Sequence, residues 1–157
     1  MFLERTERSA CLDRTGWVIR SVLQEGMEAN LFGLEMGGYL MVASEKGYLL
    51  QALATEEPSL ITADYHVSAE YQVRYLRANG CLTSWRSPSR TVGGAVAVRG
   101  SRSIIAYASG SNDRGWNRAI AIATAIRMHE LSIDDVRQKV KDMRHIDALL
   151  AVAHWTE

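Results

Sequence analysis

The stretch VGGAVAVRGSRSIIAYAS, residues 92–109, decides the fold of this chain. It contains two apolar runs, 92–99 and 103–109, on either side of the tripeptide GSR at 100–102, and this arrangement predicts a β-hairpin. Both runs are apolar at successive positions, whereas a strand with one face in water alternates apolar and polar residues. We therefore expect this hairpin to be covered on both faces, by helices or by another subunit.

A second pair of apolar runs predicts another hairpin earlier in the chain. The runs YLMVAS at 39–44 and YLLQALA at 48–54 flank the tripeptide EKG at 45–47. Gly47 can supply the positive φ that a three-residue hairpin loop requires. Lys46 lies at the tip of this loop, where we expect a solvated turn residue. Together the two hairpins predict one antiparallel sheet.

Apolar residues at helical spacing predict the remaining elements. Asn79 and Gly80 are expected to end the second helix, and Ser132 is expected to begin the last one. The resulting order, α-β-β-α-β-β-α-α, predicts a single α+β domain over residues 1–157, with a core at about 14–130. The predicted helical stretches are a short turn at 3–12 and helices at 14–30, 58–79, 116–130 and 133–154.

The composition is that of a globular protein. Of the 157 residues, 47% are apolar and 23% are charged, close to the average for folded domains. No uncharged apolar run approaches the roughly 18 residues of a membrane span, and the first residues lack the apolar core of a signal peptide. We therefore expect a cytoplasmic protein without a membrane partner. Cys11 and Cys81 form no C-x-x-C pair, so we expect buried or half-buried thiols rather than a disulfide framework or a zinc site.

The formal net charge of zero hides a strong segregation of charge. Residues 1–70 carry eleven acidic and five basic side chains, whereas residues 71–112 carry six arginines and no acid. These two segments could pair within the fold or across a homo-oligomer, or the arginines could line a concavity for an anionic ligand. Aromatic residues near the arginines could stack on nucleobases. The zero net charge and the lack of a known nucleic-acid module argue against that partner.

The turn SGSNDRG at 109–115 is the strongest candidate for a binding site. It precedes a predicted helix, where free backbone N–H groups and the helix dipole favour an anion. Ser111 and Asn112 add side-chain donors, and Arg114 adds a guanidinium fork. The alternative is a simple strand-to-helix connection, in which Asn112 or Asp113 caps the helix.

The sequence favours a binding protein over an enzyme. It contains no phosphate-binding glycine loop, no H-E-x-x-H motif and no nucleophile elbow. His66 and Glu70 share one face of the second helix, but two ligands are fewer than a zinc site needs. We expect them to form an exposed hydrogen-bonded pair. An enzyme of unknown class would draw on Ser111, Asn112, Trp116 and His66, although spacing alone places no nucleophile beside a base.

The segment GGAVAVRGSRSIIAYASGSNDRGWNRAIAIATAI, residues 93–126, resembles the GlcG/HbpS-like family of haem-binding proteins. The double glycine at 93–94, Gly100, the Ile-Ala pair at 105–106, the Ser-Gly pair at 109–110 and the Ala-Ile-Ala run at 119–121 match that family's pattern in order. The resemblance implies haem or a related anionic compound as the ligand. Signalling modules of the roadblock/profilin type share a similar α-β-β-α-β order, which implies a homo-oligomeric interaction or scaffold domain instead.

Two functions therefore follow from the sequence. The first is the binding of a small anionic molecule, with haem as the ligand that the resemblance implies. The second is self-association as a homo-oligomeric scaffold. We expect no metal site, and the ligand-binding residues that the sequence predicts are Arg86, Arg90, Ser111, Asn112, Arg114, Trp116 and Asn117.

Overall fold

The computed structural model describes residues 5–33, 36–44, 49–53, 63–87, 94–110 and 113–152. Within these ranges the chain forms nine elements. The helices are α1 (Arg5–Glu28), α2 (Ala63–Ala78), α3 (Arg114–Arg127), α4 (Ile133–Lys139) and α5 (Arg144–Val152). The strands are β1 (Gly38–Ala43), β2 (Leu49–Leu53), β3 (Val96–Arg99) and β4 (Ile104–Ser109).

The two hairpins share one antiparallel sheet with the strand order β2-β1-β4-β3. Strands β1 and β4 join the hairpins, in a register that runs from Gly38 opposite Ser109 to Ala43 opposite Ile104. Beside β3, the segment before Trp85 adds an isolated bridge between Thr83 and Val98. The predicted α+β class, with an antiparallel sheet built from two hairpins, is confirmed.

Helices cover both faces of the central strands. Helices α1 and α3 pack on one face, and α2 packs on the other, over β1, β4 and β3. This explains why the strands are apolar at successive positions: every residue of β1 and β4 is buried. Of the two covers that the sequence left open, helices or another subunit, helices supply the cover of β1, β3 and β4. The sheet residues on the α1/α3 face include Leu40, Val42, Val98, Ile105 and Tyr107, and those on the α2 face include Met41, Ala43, Ala97, Ile104 and Ala106.

The first helix is longer than predicted. Instead of a turn at 3–12 and a separate helix at 14–30, a single helix α1 runs through Gly16 and Gly26. A Cβ atom at Gly26 would lie within 2.8 Å of ring carbons of Phe32. Gly26 therefore serves the packing of Phe32 against the helix, and it does not end the helix.

One predicted element, β3, begins later than expected among the described residues. The described part of α2 begins at Ala63, and the predicted start of this helix at 58 lies outside the described ranges. Strand β3 begins at Val96 and not at 92, because Gly94 has a φ of 56° and turns the chain before the strand. Helix α2 ends at Ala78, directly before the predicted stop at Asn79 and Gly80.

The single helix predicted at 133–154 is wrong: α4 and α5 are separate helices. Val140 has an extended conformation, with φ −107° and ψ 121°, which ends α4. Asp142 then accepts a hydrogen bond from the N–H of Arg144 at 3.2 Å and starts α5. Ser132 caps α4 as predicted, since its hydroxyl accepts from the N–H of Asp135 at 3.1 Å. The break lets both Val140 and Ile146 reach the core.

Glu130 joins the end of α3 to the turn between β3 and β4. Its Oε1 accepts from the N–H groups of Arg102 at 2.9 Å and Ser103 at 2.8 Å, and its Oε2 accepts from the Ser103 hydroxyl at 2.7 Å. No motif in the sequence indicated this carboxylate, which is only 7% exposed. It fixes the second hairpin against the helix that carries the predicted site.

Cys81 is exposed and carries a free thiol. The expectation of a buried or half-buried thiol is therefore wrong at this position. Cys81 follows the end of α2 and directly precedes the segment that bridges to β3, where the chain runs along the surface. The side chain of Cys11 lies outside the described part of the molecule.

Candidate functional site

Asp113 closes the N-terminus of α3. Its Oδ1 accepts from the N–H groups of Gly115 at 2.9 Å and Trp116 at 3.3 Å, so Asp113 is the capping residue of the two that were predicted. A carboxylate in this position already compensates the positive end of the helix dipole. Ser111 and Asn112, which were predicted to hold an anion here, lie outside the described residues.

A pocket of about 290 Å³ opens beside Trp116. The loop after α1, the first turn of α3 and helix α5 form its walls. The indole of Trp116 meets the His145 ring edge-on, with centroids 4.6 Å apart and ring planes at 87°. Phe32 packs against the same indole at 5.2 Å. We call this open depression the Trp116 pocket, and it is lined by Leu31, Trp116, Arg144, His145 and Ala148.

Gly115 sets the distance between α3 and α5 at the Trp116 pocket. A Cβ atom at this position would lie 2.8 Å from Cε1 and 3.0 Å from Nδ1 of His145. Both distances are shorter than ordinary van der Waals contact, so a larger residue would push the imidazole away. The glycine therefore lets His145 reach the Trp116 ring.

Arg144 contributes a guanidinium group to the rim of the pocket. Its Nε and Nη2 donate to the two carboxylate oxygens of Asp142 at 3.0 and 2.8 Å, which is a bidentate pair. These hydrogen bonds hold the pKa of Asp142 well below its usual range. The Arg144 side chain is 83% exposed, and exposed ion pairs contribute little stability. Arg144 can therefore exchange Asp142 for an anion in the pocket at small cost.

Two arginines of α3 contact Trp85 on a neighbouring surface. The guanidinium carbons of Arg114 and Arg118 lie 5.1 and 4.0 Å from the centroid of its ring, within the range of cation–π contacts. Arg114 also donates to the carbonyl oxygens of Trp85 at 2.9 Å and Ser84 at 3.1 Å. Arg118 donates to the carbonyl oxygen of Asp142 at 2.8 Å. We call Trp85, Arg114 and Arg118 the Trp85 cluster.

The charge of Arg118 is poorly solvated. Burial lowers the pKa of its guanidinium, the nearby charge of Asp142 opposes that effect, and the positive charge of Arg114 reinforces it. The guanidinium still remains protonated, because the ordinary pKa of arginine is above about 12. The cluster therefore places a permanent positive charge in a mostly buried position.

Asn117 lies in the interior and ties three elements together. Its Nδ2 donates to the carbonyl oxygen of Gly94 at 3.0 Å, and its Oδ1 accepts from the hydroxyl of Ser109 at 2.6 Å. Asn117 is completely buried. Among the predicted binding residues, it holds α3 against the strands and does not face the pocket or the surface.

The structure brings some of the predicted site residues together and separates others. Arg114, Trp116 and Asn117 lie in the first turn of α3 but face three directions: the Trp85 ring, the Trp116 pocket and the interior. Arg86 is exposed and directly follows Trp85. Arg90, Ser111 and Asn112 lie outside the described ranges.

Four residues of this region carry no recognisable signal in the sequence. Arg144, His145 and Asp142 come from a segment that the sequence assigned to the middle of one long helix, so no turn indicated them. Arg118 belongs to the apolar-looking helix that follows the turn at 109–115. Only its place four residues after Arg114, one helical turn later, could have suggested that the two arginines share a face.

His66 and Glu70 form the predicted contact, with 3.4 Å between Nε2 and Oε2. The structure adds a third member: the hydroxyl of Tyr39 lies 2.7 Å from Nδ1 of His66. Burial, with a smaller contribution from the charge of Glu70, raises the pKa of Tyr39 to about 12. Tyr39 is therefore a neutral phenol, which donates to Nδ1 when His66 carries its proton on Nε2. No group of three or more metal-binding side chains is found among the described residues.

Comparisons of the chain with models of known protein families, with curated proteins and with solved structures give no match. Among the described residues, no helix is both long enough and apolar enough to span a membrane.

Proposed function

We propose that this chain is a binding protein for a small anionic molecule with a flat apolar part. One observation carries the proposal: the Trp116 pocket combines an indole wall with a guanidinium and an imidazole. Ligand pockets are mostly apolar, with a few polar groups that set orientation, and they span about 300–1,000 Å³. At about 290 Å³, the Trp116 pocket suits a compact ligand of one or two rings.

The lining residues suit different parts of such a ligand. Leu31, Ala148 and the Trp116 ring offer apolar surface to the flat part of a ligand. Arg144 offers two parallel N–H donors. They match the two oxygens of a carboxylate better than the ammonium group of a lysine side chain would. Asp142 occupies Nε and Nη2 of this guanidinium, so a ligand carboxylate would take the place of Asp142 on these two donors, and the exposed ion pair makes that exchange cheap.

Haem, which the sequence resemblance implies, is the larger alternative for this pocket. Histidine is an axial ligand of haem iron in several protein classes, and Arg144 would suit a propionate. A porphyrin with its propionates is, however, larger than a cavity at the lower end of the range for drug-sized ligands. The volume of the described pocket therefore favours the smaller ligand.

Filling the pocket is expected to weaken the binding of an aromatic anion. The fluorescent two-ring carboxylate 2-naphthoate serves as the probe, and we expect saturable binding to the folded chain. Ala148→Phe should weaken this binding at least about tenfold, because the new ring occupies the pocket. A tenfold change in Kd corresponds to about 1.4 kcal/mol of binding free energy. Ala151→Phe adds the same ring at an exposed position of α5 and should bind as the wild type does. Near-UV circular dichroism checks that each variant keeps its tertiary packing.

Two results would contradict the proposal: no saturable binding of the probe below about 1 mM, or equal binding by Ala148→Phe and the wild type. A parallel titration with haemin separates the two ligand classes. If haemin binds tightly and Ala148→Phe abolishes that binding, the larger ligand is the correct one.

A second function, self-association, is favoured by apolar residues on the outer surface of α2. Val67 is 62% exposed and Tyr71 is 39% exposed, and they lie on neighbouring turns. Tyr75, in contrast, packs with Tyr65 against the core on the α2 face of the sheet. The support for assembly therefore comes from this helix surface, and not from the apolar strands that the sequence analysis emphasised.

Val67→Glu is expected to dissociate a homo-oligomer if this surface is the contact, because it places a charge in a buried apolar interface. Sedimentation velocity at two salt concentrations measures the change, and Ala151→Glu on α5 is the control for added charge. A wild-type chain that stays monomeric at micromolar concentration would exclude self-association. An oligomer that tolerates Val67→Glu would place the contact elsewhere.

A further inference from the structure

Arg118 is a buried guanidinium without an ionic partner among the described residues. It is only 6% exposed, and it forms no salt bridge with a carboxylate of the described residues. Its Nη2 donates to the carbonyl oxygen of Asp142, and its Nε is sealed from solvent without any hydrogen-bond partner. A buried charge of this kind is costly unless an opposite charge approaches it.

The acid that lies near Arg118 is already engaged. Both carboxylate oxygens of Asp142 accept from Arg144, and Asp113 caps α3. The Trp85 cluster therefore holds two guanidinium groups, those of Arg114 and Arg118. The two acids beside them are engaged elsewhere, Asp113 in the helix cap and Asp142 with Arg144.

We propose that the Trp85 cluster binds the phosphate group of a small molecule. The central contact is Nη1 of Arg118, the nitrogen of that guanidinium that neither donates to Asp142 nor is sealed from solvent. A phosphate near neutral pH carries close to two negative charges, which matches the two guanidinium groups of the cluster. The Trp85 side chain is 37% exposed and offers a flat apolar surface to the organic part of the ligand.

This site is separate from the Trp116 pocket. Residues two positions apart in a helix point to nearly opposite sides, so Arg118 and Trp116 serve different surfaces. The test of the phosphate site is therefore independent of the test of the Trp116 pocket. The variant Ala148→Phe, which fills the Trp116 pocket, is expected to keep its full response to phosphate.

Thermal unfolding of the full chain tests the proposal, with inorganic phosphate as the probe and sodium chloride at matched ionic strength as the reference. Phosphate at ten times its Kd should raise the midpoint temperature by about 4 °C. Arg118→Met should remove this response. It should also leave the midpoint without phosphate unchanged or higher, because a buried uncompensated charge is lost. Arg102→Met removes an exposed arginine from the β3–β4 turn and should respond as the wild type does.

If Arg118→Met does not fold, Arg118→Lys decides the question. It keeps the charge but loses the guanidinium fork, and a response weakened at least about tenfold in Kd supports the site. The proposal is overturned if phosphate stabilises the wild type no more than chloride does, or if the Arg118 variants respond like the wild type. If acetate raises the midpoint temperature as much as phosphate does, the cluster binds small anions in general, and the assignment of phosphate as the ligand class is overturned.

Discussion

Gly38→Ala is expected to cost at least about 3 kcal/mol of the free energy of unfolding. Gly38 begins β1 and lies opposite Ser109, at the pairing that joins the two hairpins. A Cβ atom there would overlap the carbonyl oxygen of Ala108 and lie 2.7 Å from Cα of Ser109. These are backbone atoms of a buried strand, so the clash can be relieved only by moving β1 away from β4. Urea unfolding followed by far-UV circular dichroism measures the loss.

Gly80→Ala is the matched control for this change. Gly80 follows α2 at an exposed position, and nothing lies within 4 Å of a Cβ built there. Its φ is not positive, so alanine should leave stability unchanged or raise it by about 0.4–1 kcal/mol. If Gly38→Ala stays within about 1 kcal/mol of the wild type, the close approach of β1 and β4 at this point is refuted.

Asn117→Leu should lose about 2–5 kcal/mol of stability, since two buried hydrogen bonds disappear while the side-chain volume is nearly kept. The carbonyl oxygen of Gly94 and the hydroxyl of Ser109 both lose the amide that contacts them. Because this amide fixes the first turn of α3, the Trp116 pocket should also become less ordered. Urea unfolding measures the first effect, and probe binding to the pocket measures the second.

Thr124→Val is the control for Asn117→Leu. It measures how much unfolding free energy is lost when any buried polar group is removed from α3. Thr124 is completely buried, but its hydroxyl donates only to the carbonyl oxygen of Ile120, one turn earlier in the same helix. We expect a loss of about 1 kcal/mol for that change. Equal losses for the two variants would show that Asn117 does not tie separate elements together.

The sheet and its class were predictable because the signal is local and repeated. Two apolar runs around a short polar loop indicate a hairpin wherever they occur, and runs apolar at successive positions indicate burial on both faces. The sequence could not show that helices supply the whole cover of the central strands. That outcome depends on where α2 lies, and helix placement is a property of packing between distant segments.

The candidate site was predicted only in part. Trp116 does line a pocket, because it is a large aromatic residue at the start of a helix, next to a glycine. Its partners Arg144 and His145 follow nearly thirty residues later, in a stretch whose regular apolar spacing continues through the break between α4 and α5. Spacing carries no information on that break, since the residues that cause it, Val140 and Asp142, act through tertiary burial and capping.

Local chemistry in the chain determined the hairpins and the caps at Asp113 and Ser132. Each of these depends on the preferences of a few adjacent residues. Tertiary structure alone decided which way each residue at the start of α3 faces, and therefore which of them can meet a ligand. Arg114 and Asn117 have ordinary polar side chains in the sequence, yet one packs on an indole at the surface and the other is sealed among three elements. The reason is physical: the partners of a side chain are set by the packing of segments far apart in the chain, which no run of neighbouring residues encodes.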